Sequence, residues 1–134
     1  MRYTALAVHD QAEACRLLAA AQSAKTDAAR RFSLAGLVAR GAAYQVFNQR
    51  GDVVAAFLVE ASNGALWVTA AAGRAPDNLV AILSGFVEHQ ARECRLSGVG
   101  FRTERRGLVR KARAIGYQVT RQEGNEYFMR KTLQ

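Results

Sequence analysis

The stretch AAAGRAPDNL, residues 70–79, places a single arginine between a run of small residues and the start of a predicted helix. Backbone N–H groups at a helix N-terminus have no partners within the helix and attract anions, and the guanidinium of Arg74 adds positive charge there. This combination indicates a phosphate-binding loop. Pro76 lacks an N–H group, however, and the carboxylate of Asp77 can accept the same hydrogen bonds as an ordinary N-cap. The sequence leaves both interpretations open.

Cysteine and histidine usage indicates neither a metal centre nor a disulfide framework. Cys15 and Cys94 lie on separate predicted helices, and the chain has no Cys-x-x-Cys motif and no pair of histidines at ligand spacing. We interpret both cysteines as small apolar core residues. A reducing, cytoplasmic setting is the default expectation. The longest apolar run, at 53–59, is too short to span a bilayer, so no membrane partner is expected.

Positive charge is concentrated in the last third of the chain. Residues 92–134 hold 11 of the 19 lysines and arginines but only 4 of the 11 acidic residues, so they supply +7 of the net charge of +8. Such a basic segment favours anionic partners, including nucleic acid, nucleotide phosphates and acidic proteins. It can equally form a solvated helix surface.

Hydrophobic periodicity predicts elements in the order β-α-α-β-β-β-α-β-α-β-β. The predicted strands are 2–8, 43–47, 53–61, 66–71, 98–101, 117–122 and 126–133. The predicted helices are 10–24, a second one from 26 or 27 to 41, 77–96 and 105–116. The apolar stretch at 98–101 suits a buried strand parallel to the strand before the long helix. With 134 residues and no Pro-rich linker, we expect one domain over 1–134.

This order of elements resembles the GNAT acyltransferase superfamily over nearly the whole chain. The most telling stretch is GLVRKARAIGYQV, residues 107–119, which is similar to that superfamily's fourth helix and its Gly-aromatic ending, here Gly116 and Tyr117. The resemblance implies an α/β (α+β) fold. It implies a mixed, mostly antiparallel central sheet of about seven strands, flanked by about four helices.

The resemblance also implies acetyl-CoA or another acyl-CoA as cofactor, and a small-molecule or protein amine as acceptor. The superfamily binds pyrophosphate at the start of its third helix, through Arg or Gln followed by two glycine positions. Arg74 matches the first position, whereas Asp77 and Leu79 occupy the glycine positions. The implied cofactor-binding residues are Ala71, Ala72, Gly73, Arg74, Asn78 and Arg105.

Catalysis in the superfamily commonly joins a base that deprotonates the amine with a tyrosine on the fourth helix that protonates the departing thiolate. Counting back from Gly116, that tyrosine position is Ala112 here, and the position of an asparagine often found near the helix start is Arg105. Glu60, at the end of an apolar strand, and Tyr117, directly after the helix, are the candidate catalytic residues. Strand-end glutamates are usually solvated and tyrosine rings usually pack in cores, so each also has a structural interpretation.

With these departures from the superfamily's motifs, the chain is similar to small phage-encoded GNAT-like proteins, including an internal virion protein of short-tailed phages. This second resemblance covers mainly residues 65–133 and implies a non-catalytic structural or adaptor role, in the cytoplasm or in a phage virion, with an acidic macromolecular partner. The basic surface for that role would comprise Arg105, Arg106, Arg110, Lys111 and Arg113. No DNA-reading motif accompanies these charges, so sequence-specific DNA binding is not expected.

Overall fold

The computed structural model describes residues 2–18, 41–73 and 79–133. Its strands are β1 (Thr4–Val8), β2 (Ala42–Phe47), β3 (Val53–Ser62), β4 (Ala65–Gly73), β5 (Gly98–Thr103), β6 (Gln118–Glu123) and β7 (Glu126–Thr132). They form one sheet in the order β1-β2-β3-β4-β5-β7-β6. Neighbouring strands are antiparallel except β4 and β5, which are parallel. The predicted mixed, mostly antiparallel sheet of seven strands is confirmed.

The described residues contain three helices, α1 (Gln11–Leu18), α2 (Leu79–Glu93) and α3 (Arg106–Ala114). These are three of the roughly four helices predicted; the second predicted helix, ending at 41, falls almost entirely outside the described residues. Helix α1 begins after Asp10 because the Oδ1 atom of Asp10 accepts hydrogen bonds from the backbone N–H groups of Ala12 (2.9 Å) and Glu13 (3.3 Å). This is the expected behaviour of an aspartate N-cap.

Two glycine-containing turns set the direction of the chain near the sheet's centre. Asn63 and Gly64 have φ angles of 52° and 76°, as a tight hairpin between β3 and β4 requires. Gly116 has a φ of 103° directly after α3, and the backbone N–H of Tyr117 donates to the carbonyl of Ala112 at 3.1 Å. That ending of α3 turns Tyr117 back toward the sheet.

The core lies on both faces of the sheet, because successive side chains of a strand point to opposite sides. Helices α2 and α3 cover one face, called here the α2–α3 face. Its buried residues include Phe57, Val59, Leu66, Val87, Val99 and Met129. Helix α1 covers part of the other face, called the α1 face, where Leu18, Leu58 and Ala70 are buried. Each face of the sheet therefore has its own apolar cluster.

Two predictions about burial are wrong. Cys94 is exposed rather than in the core, because it follows the last residue of α2, whereas Cys15 is partly buried and packs against the apolar cluster of the α1 face. The helical periodicity of residues 77–96 predicts that Glu88 faces water, but its side chain is only 14% exposed. It is enclosed because Ser84 and Lys131 both hydrogen-bond to it. The predicted apolar stripe of α2, by contrast, packs against the core, including Leu83.

Candidate functional site

Strands β4 and β5 separate partway along their length and leave a gap in the sheet. Their parallel pairing runs from Ala65 and Gly98 to Val68 and Phe101. Beyond that point β4 continues to Gly73 along β3, while β5 follows β7. The pairing of β4 with β3 also shifts between Val68 and the residues after it, which makes Thr69 the extra residue of a β-bulge. A bulge bends its strand and increases its twist, and this bend opens the gap.

The backbone of β4 beyond the bulge borders the gap. Backbone N–H and C=O groups in such a position need hydrogen-bond partners, and no strand of the described part of the chain pairs with this edge of β4 beyond Val68. The side chains here are small, since Ala70 to Ala72 are followed by Gly73. An extended ligand with amide groups can therefore approach this edge closely and pair with it.

A cavity of about 110 Å³ opens at the gap on the α2–α3 face. Ala71, Leu83, Phe101 and Leu108 contribute apolar walls. Ser84 and Tyr117 contribute two hydroxyl groups to the same cavity. We refer to this space as the apolar cavity.

A larger cavity of about 520 Å³ lies against the opposite side of the gap. Its wall includes Glu60, Trp67, Thr69, Arg102, Arg121 and Phe128. The strand register places these β-sheet side chains on the α1 face, because Glu60 is two residues after Leu58 and pairs with Trp67. We refer to this space as the polar groove. Val68 and Arg102 line both the polar groove and the apolar cavity, so the two spaces are neighbours at the gap.

Trp67 forms a flat part of the polar groove's wall. Its indole Nε1–H donates to the carbonyl of Ser62 at 3.1 Å. On β5, Gly100 pairs with Trp67, and a Cβ atom at Gly100 would lie 2.6 Å from Cζ3 of the indole. The absence of a side chain at Gly100 therefore allows the Trp67 ring to lie over the strand.

Two arginines converge on one aromatic ring beside the polar groove. The guanidinium carbon of Arg121 lies 4.2 Å from the ring centroid of Phe128, and that of Arg102 lies 5.5 Å from it. The strand register causes this, because Phe128 pairs with Arg102 on one side and with Arg121 on the other. Arg121 also forms an ion pair with Glu123 at 3.1 Å, in which both side chains are substantially exposed. The groove thus has a strongly cationic side.

A hydrogen-bonded chain connects the apolar cavity to the edge of α2. The hydroxyls of Tyr117 and Ser84 are 2.9 Å apart, and Ser84 Oγ–H donates to Glu88 Oε2 at 2.9 Å. Since serine has one hydroxyl hydrogen, the Tyr117 O–H donates to Ser84 in this arrangement. Lys131 Nζ donates to the same Glu88 oxygen at 3.2 Å. The phenol of Tyr117 is therefore held by an ordered row of polar groups.

Burial, together with a smaller effect of the negative charge of Glu88, raises the pKa of Tyr117 to about 12, while the hydrogen bond with Ser84 acts in the opposite direction. The phenol is consequently protonated throughout the neutral range. Its ring packs edge-on against Phe101, with centroids 5.3 Å apart. Tyr117 thus places a protonated phenol, hydrogen-bonded to Ser84, beside the gap.

The structure separates the two candidate catalytic residues onto opposite sides of the gap: Glu60 lines the polar groove and Tyr117 lines the apolar cavity. Among the candidate cofactor residues, Ala71 lines the apolar cavity, and Ala72 and Gly73 continue β4 past it. Arg74 and Asn78 lie outside the described residues.

Arg105 occupies the position before α3, where its backbone N–H donates to Thr103 Oγ1 at 3.0 Å. Its side chain is exposed and is not among the residues that line either space. Ala112, the position where the resemblance predicts a tyrosine, is completely buried in the core. The sequence reasoning missed Ser84, Trp67, Arg102 and Arg121. For Ser84, the sequence offers one signal, which is a polar residue among the apolar positions of α2.

Two further features concern the described residues only. No three or more His, Cys, Asp or Glu side chains there are grouped as metal ligands. None of the helices there combines the length and apolar character needed to cross a bilayer.

Comparison with known proteins identifies the fold. No protein-family model matches the sequence, and no curated protein does. Many solved structures match, and three illustrate them. An IAA acetyltransferase from Bacillus cereus has a TM-score of 0.76 and 14% identity, covering 98% of this chain and 100% of its own. A GNAT family acetyltransferase from Elizabethkingia anophelis with acetyl-CoA bound has a TM-score of 0.72 and 11% identity, covering 98% of each chain.

The third is the ribosomal-protein-S18-alanine N-acetyltransferase from Escherichia coli, with a TM-score of 0.71 and 10% identity, covering 98% of this chain and 94% of its own. At such low identity, the similarity concerns the arrangement of the backbone. This chain has the GNAT fold, as its order of elements predicts.

Proposed function

We propose that this protein is an acyl-CoA-dependent N-acyltransferase, which moves an acyl group such as acetyl to a primary amine. The observation that carries the proposal is that the apolar cavity and the polar groove share Val68 and Arg102 as lining residues at the gap. Two substrates can reach one point in the gap from opposite sides, and such positioning accounts for a large part of the rate of a two-substrate reaction.

The apolar cavity and the free edge of β4 fit an acyl-CoA molecule. The chain that carries the thioester is extended and contains amides, which can pair with the β4 backbone between Thr69 and Gly73. The alanine side chains leave room for it, and acyl-CoA supplies an acyl group activated as a thioester. Arg74 and Asn78 remain sequence-based predictions for the pyrophosphate end of the same molecule.

The chain's own residues supply proton transfer on each side of the gap. Glu60, in the polar groove, is proposed to accept a proton from the attacking amine at a carboxylate oxygen. In the apolar cavity, Tyr117 is proposed to turn its O–H from Ser84 toward the departing sulfur and to donate its phenolic proton there. Ser84 and Glu88 act as positioning residues for Tyr117 through the hydrogen bonds already described. Backbone N–H groups of β4 beyond the bulge can polarise a carbonyl placed in the gap.

A transfer assay with a matched pair of variants tests this proposal. The protein is incubated with acetyl-CoA and a panel of primary amines, and both the released thiol and the mass of the amine are measured. Glu60→Gln is expected to lower kcat/KM about 100-fold, the usual size of a general-base effect. Glu13→Gln, on the exposed surface of α1, is the control and is expected to change nothing. Absence of acetylated amine from the wild-type protein would contradict the proposal.

A second candidate function is a non-catalytic adaptor, and one observation favours it. Five basic side chains on and next to α3 are exposed together: Arg105, Arg106, Arg110, Lys111 and Arg113. An acidic macromolecule bound there would dissociate as the salt concentration rises. This function predicts partner binding that is unaffected by Glu60→Gln.

A further inference from the structure

The charges around the polar groove indicate which amines it accepts. Among the described residues, two arginines and one glutamate line the groove itself, and Glu123 lies beside it in an ion pair with Arg121. Both guanidiniums lie over Phe128, whereas Glu60 is on β3, two strands from Arg102 on β5 and four from Arg121 on β6. The groove is therefore cationic at one side and acidic at the other.

A guanidinium has several N–H donors in a planar fork that matches a carboxylate. Arg121 keeps donors available beyond its contact with Glu123, and that pair is weak because both side chains are largely exposed to water, at 60% and 46%. An incoming carboxylate can replace Glu123 at small cost. A polyamine would instead bring positive charge toward two guanidiniums.

Arg102 links this cationic side to the reaction point, because it lines both the polar groove and the apolar cavity. A ligand whose carboxylate contacts Arg102 and Arg121 is thereby held next to the gap. The amine of that ligand can then lie between the gap and Glu60. The indole of Trp67, between Glu60 and Gly100 in the register of the sheet, offers a flat apolar surface for the rest of the ligand.

We infer that the acceptor is a primary amine that also carries a carboxylate, such as an amino acid, and that Arg102 and Arg121 bind its carboxylate. This inference rests on the proposed function, since it specifies the acceptor of the same transfer. It assigns Arg121 to acceptor specificity, whereas Tyr117 and the β4 edge serve the acyl donor.

The test compares amines that differ only by a carboxylate. Acetyl transfer is measured for phenylalanine against phenethylamine and for lysine against cadaverine, with spermidine as a polycationic amine. We expect kcat/KM to be at least tenfold higher for each amino acid than for its decarboxylated partner. Arg121→Gln is expected to remove most of that preference by raising KM for the amino acids. Arg50→Gln, in the exposed turn between β2 and β3, is the control.

Binding is also measured without turnover. Trp67 is the only tryptophan in the chain, so its fluorescence reports on the polar groove. In the presence of CoA, phenylalanine is expected to change this fluorescence at lower concentration than phenethylamine does, and Arg121→Gln is expected to remove the difference.

The possible failures are distinguishable. If the protein acetylates amines but shows no preference for the carboxylate-bearing ones, or prefers spermidine, this inference is overturned and the proposed function stands. If acetyl-CoA does not bind, or no amine is acetylated, the proposed function is overturned and this inference with it. A preference for amino acids that survives Arg121→Gln unchanged would contradict the assignment of that arginine.

Discussion

Tyr117 is the residue whose environment most directly connects structure to chemistry. Its phenol is buried, donates to Ser84 at 2.9 Å and belongs to a row of polar groups that ends at Lys131. The sequence indicates Tyr117 only by its place after a helix. Ser84 lies 33 residues earlier in the chain, and no local pattern connects the two residues, so their contact could not be predicted.

Tyr117→Phe tests whether this phenol takes part in catalysis. The substitution removes only the hydroxyl and keeps the ring against Phe101. We expect kcat to fall about 100-fold, because a positioned general acid usually contributes at least that much. The dissociation constant for acetyl-CoA is expected to change less than about threefold, because the loss of one neutral contact costs roughly 0.6 kcal/mol of binding free energy. An unchanged kcat would assign Tyr117 to packing alone.

The raised pKa of Tyr117 makes a second prediction, which concerns stability. A phenol whose pKa is near 10 in the unfolded chain and about 12 in the folded protein holds its proton more tightly when folded. Its stabilising contribution is therefore complete below about pH 10 and is lost as the pH rises toward about 12. Wild type should lose free energy of unfolding relative to Tyr117→Phe over this range. Chemical denaturation at several pH values measures this free energy for both proteins. If it changes with pH in the same way in wild type and in Tyr117→Phe, the raised pKa of Tyr117 is contradicted.

The bulged strand β4 is the element that determines where the site lies. Periodicity predicts β4 and its parallel partner β5, and the structure confirms both. The point at which they separate depends on the extra residue Thr69, which shifts the register against β3. Nothing in the alternation of residues 65–73 shows that shift. The strands of the site were therefore predictable, whereas the gap and the two spaces beside it were not.

Gly100 is expected to be essential for the shape of the polar groove. A Cβ atom there would lie 2.6 Å from the Trp67 ring and 2.8 Å from the carbonyl of Met129. Gly100→Ala is therefore expected to reduce the free energy of unfolding by about 1–3 kcal/mol, as overpacking usually does, and to shift the fluorescence of Trp67. Urea denaturation monitored by circular dichroism measures the first effect.

Gly85→Ala is the matched control for this prediction. Gly85 lies on α2 and has nothing within 4 Å of an added Cβ, so alanine should stabilise the helix by up to about 1 kcal/mol. If Gly100→Ala and Gly85→Ala have the same free energy of unfolding and the same Trp67 fluorescence, Gly100 is not needed for close contact with Trp67.

The whole molecule has the backbone arrangement of the GNAT fold but differs from the superfamily's expected residues at individual positions. Its order of elements predicts the GNAT fold, and the sheet, its one parallel pair and the similarity to solved structures confirm it. The catalytic positions that the resemblance implies are matched less closely, because a buried alanine, Ala112, stands where a tyrosine is expected. A fold alone does not determine function, so the ability to bind acyl-CoA is the decisive property.

A calorimetric titration with acetyl-CoA, and in parallel with free CoA, tests that property in wild type and two variants. Ala71→Leu fills the apolar cavity, while Ala5→Leu enlarges a partly buried alanine on β1, away from the site. We expect saturable one-to-one binding by wild type and Ala5→Leu, and at least tenfold weaker binding by Ala71→Leu, or about 1.4 kcal/mol. Absence of heat and of thermal stabilisation in wild type at millimolar ligand would contradict the proposed function.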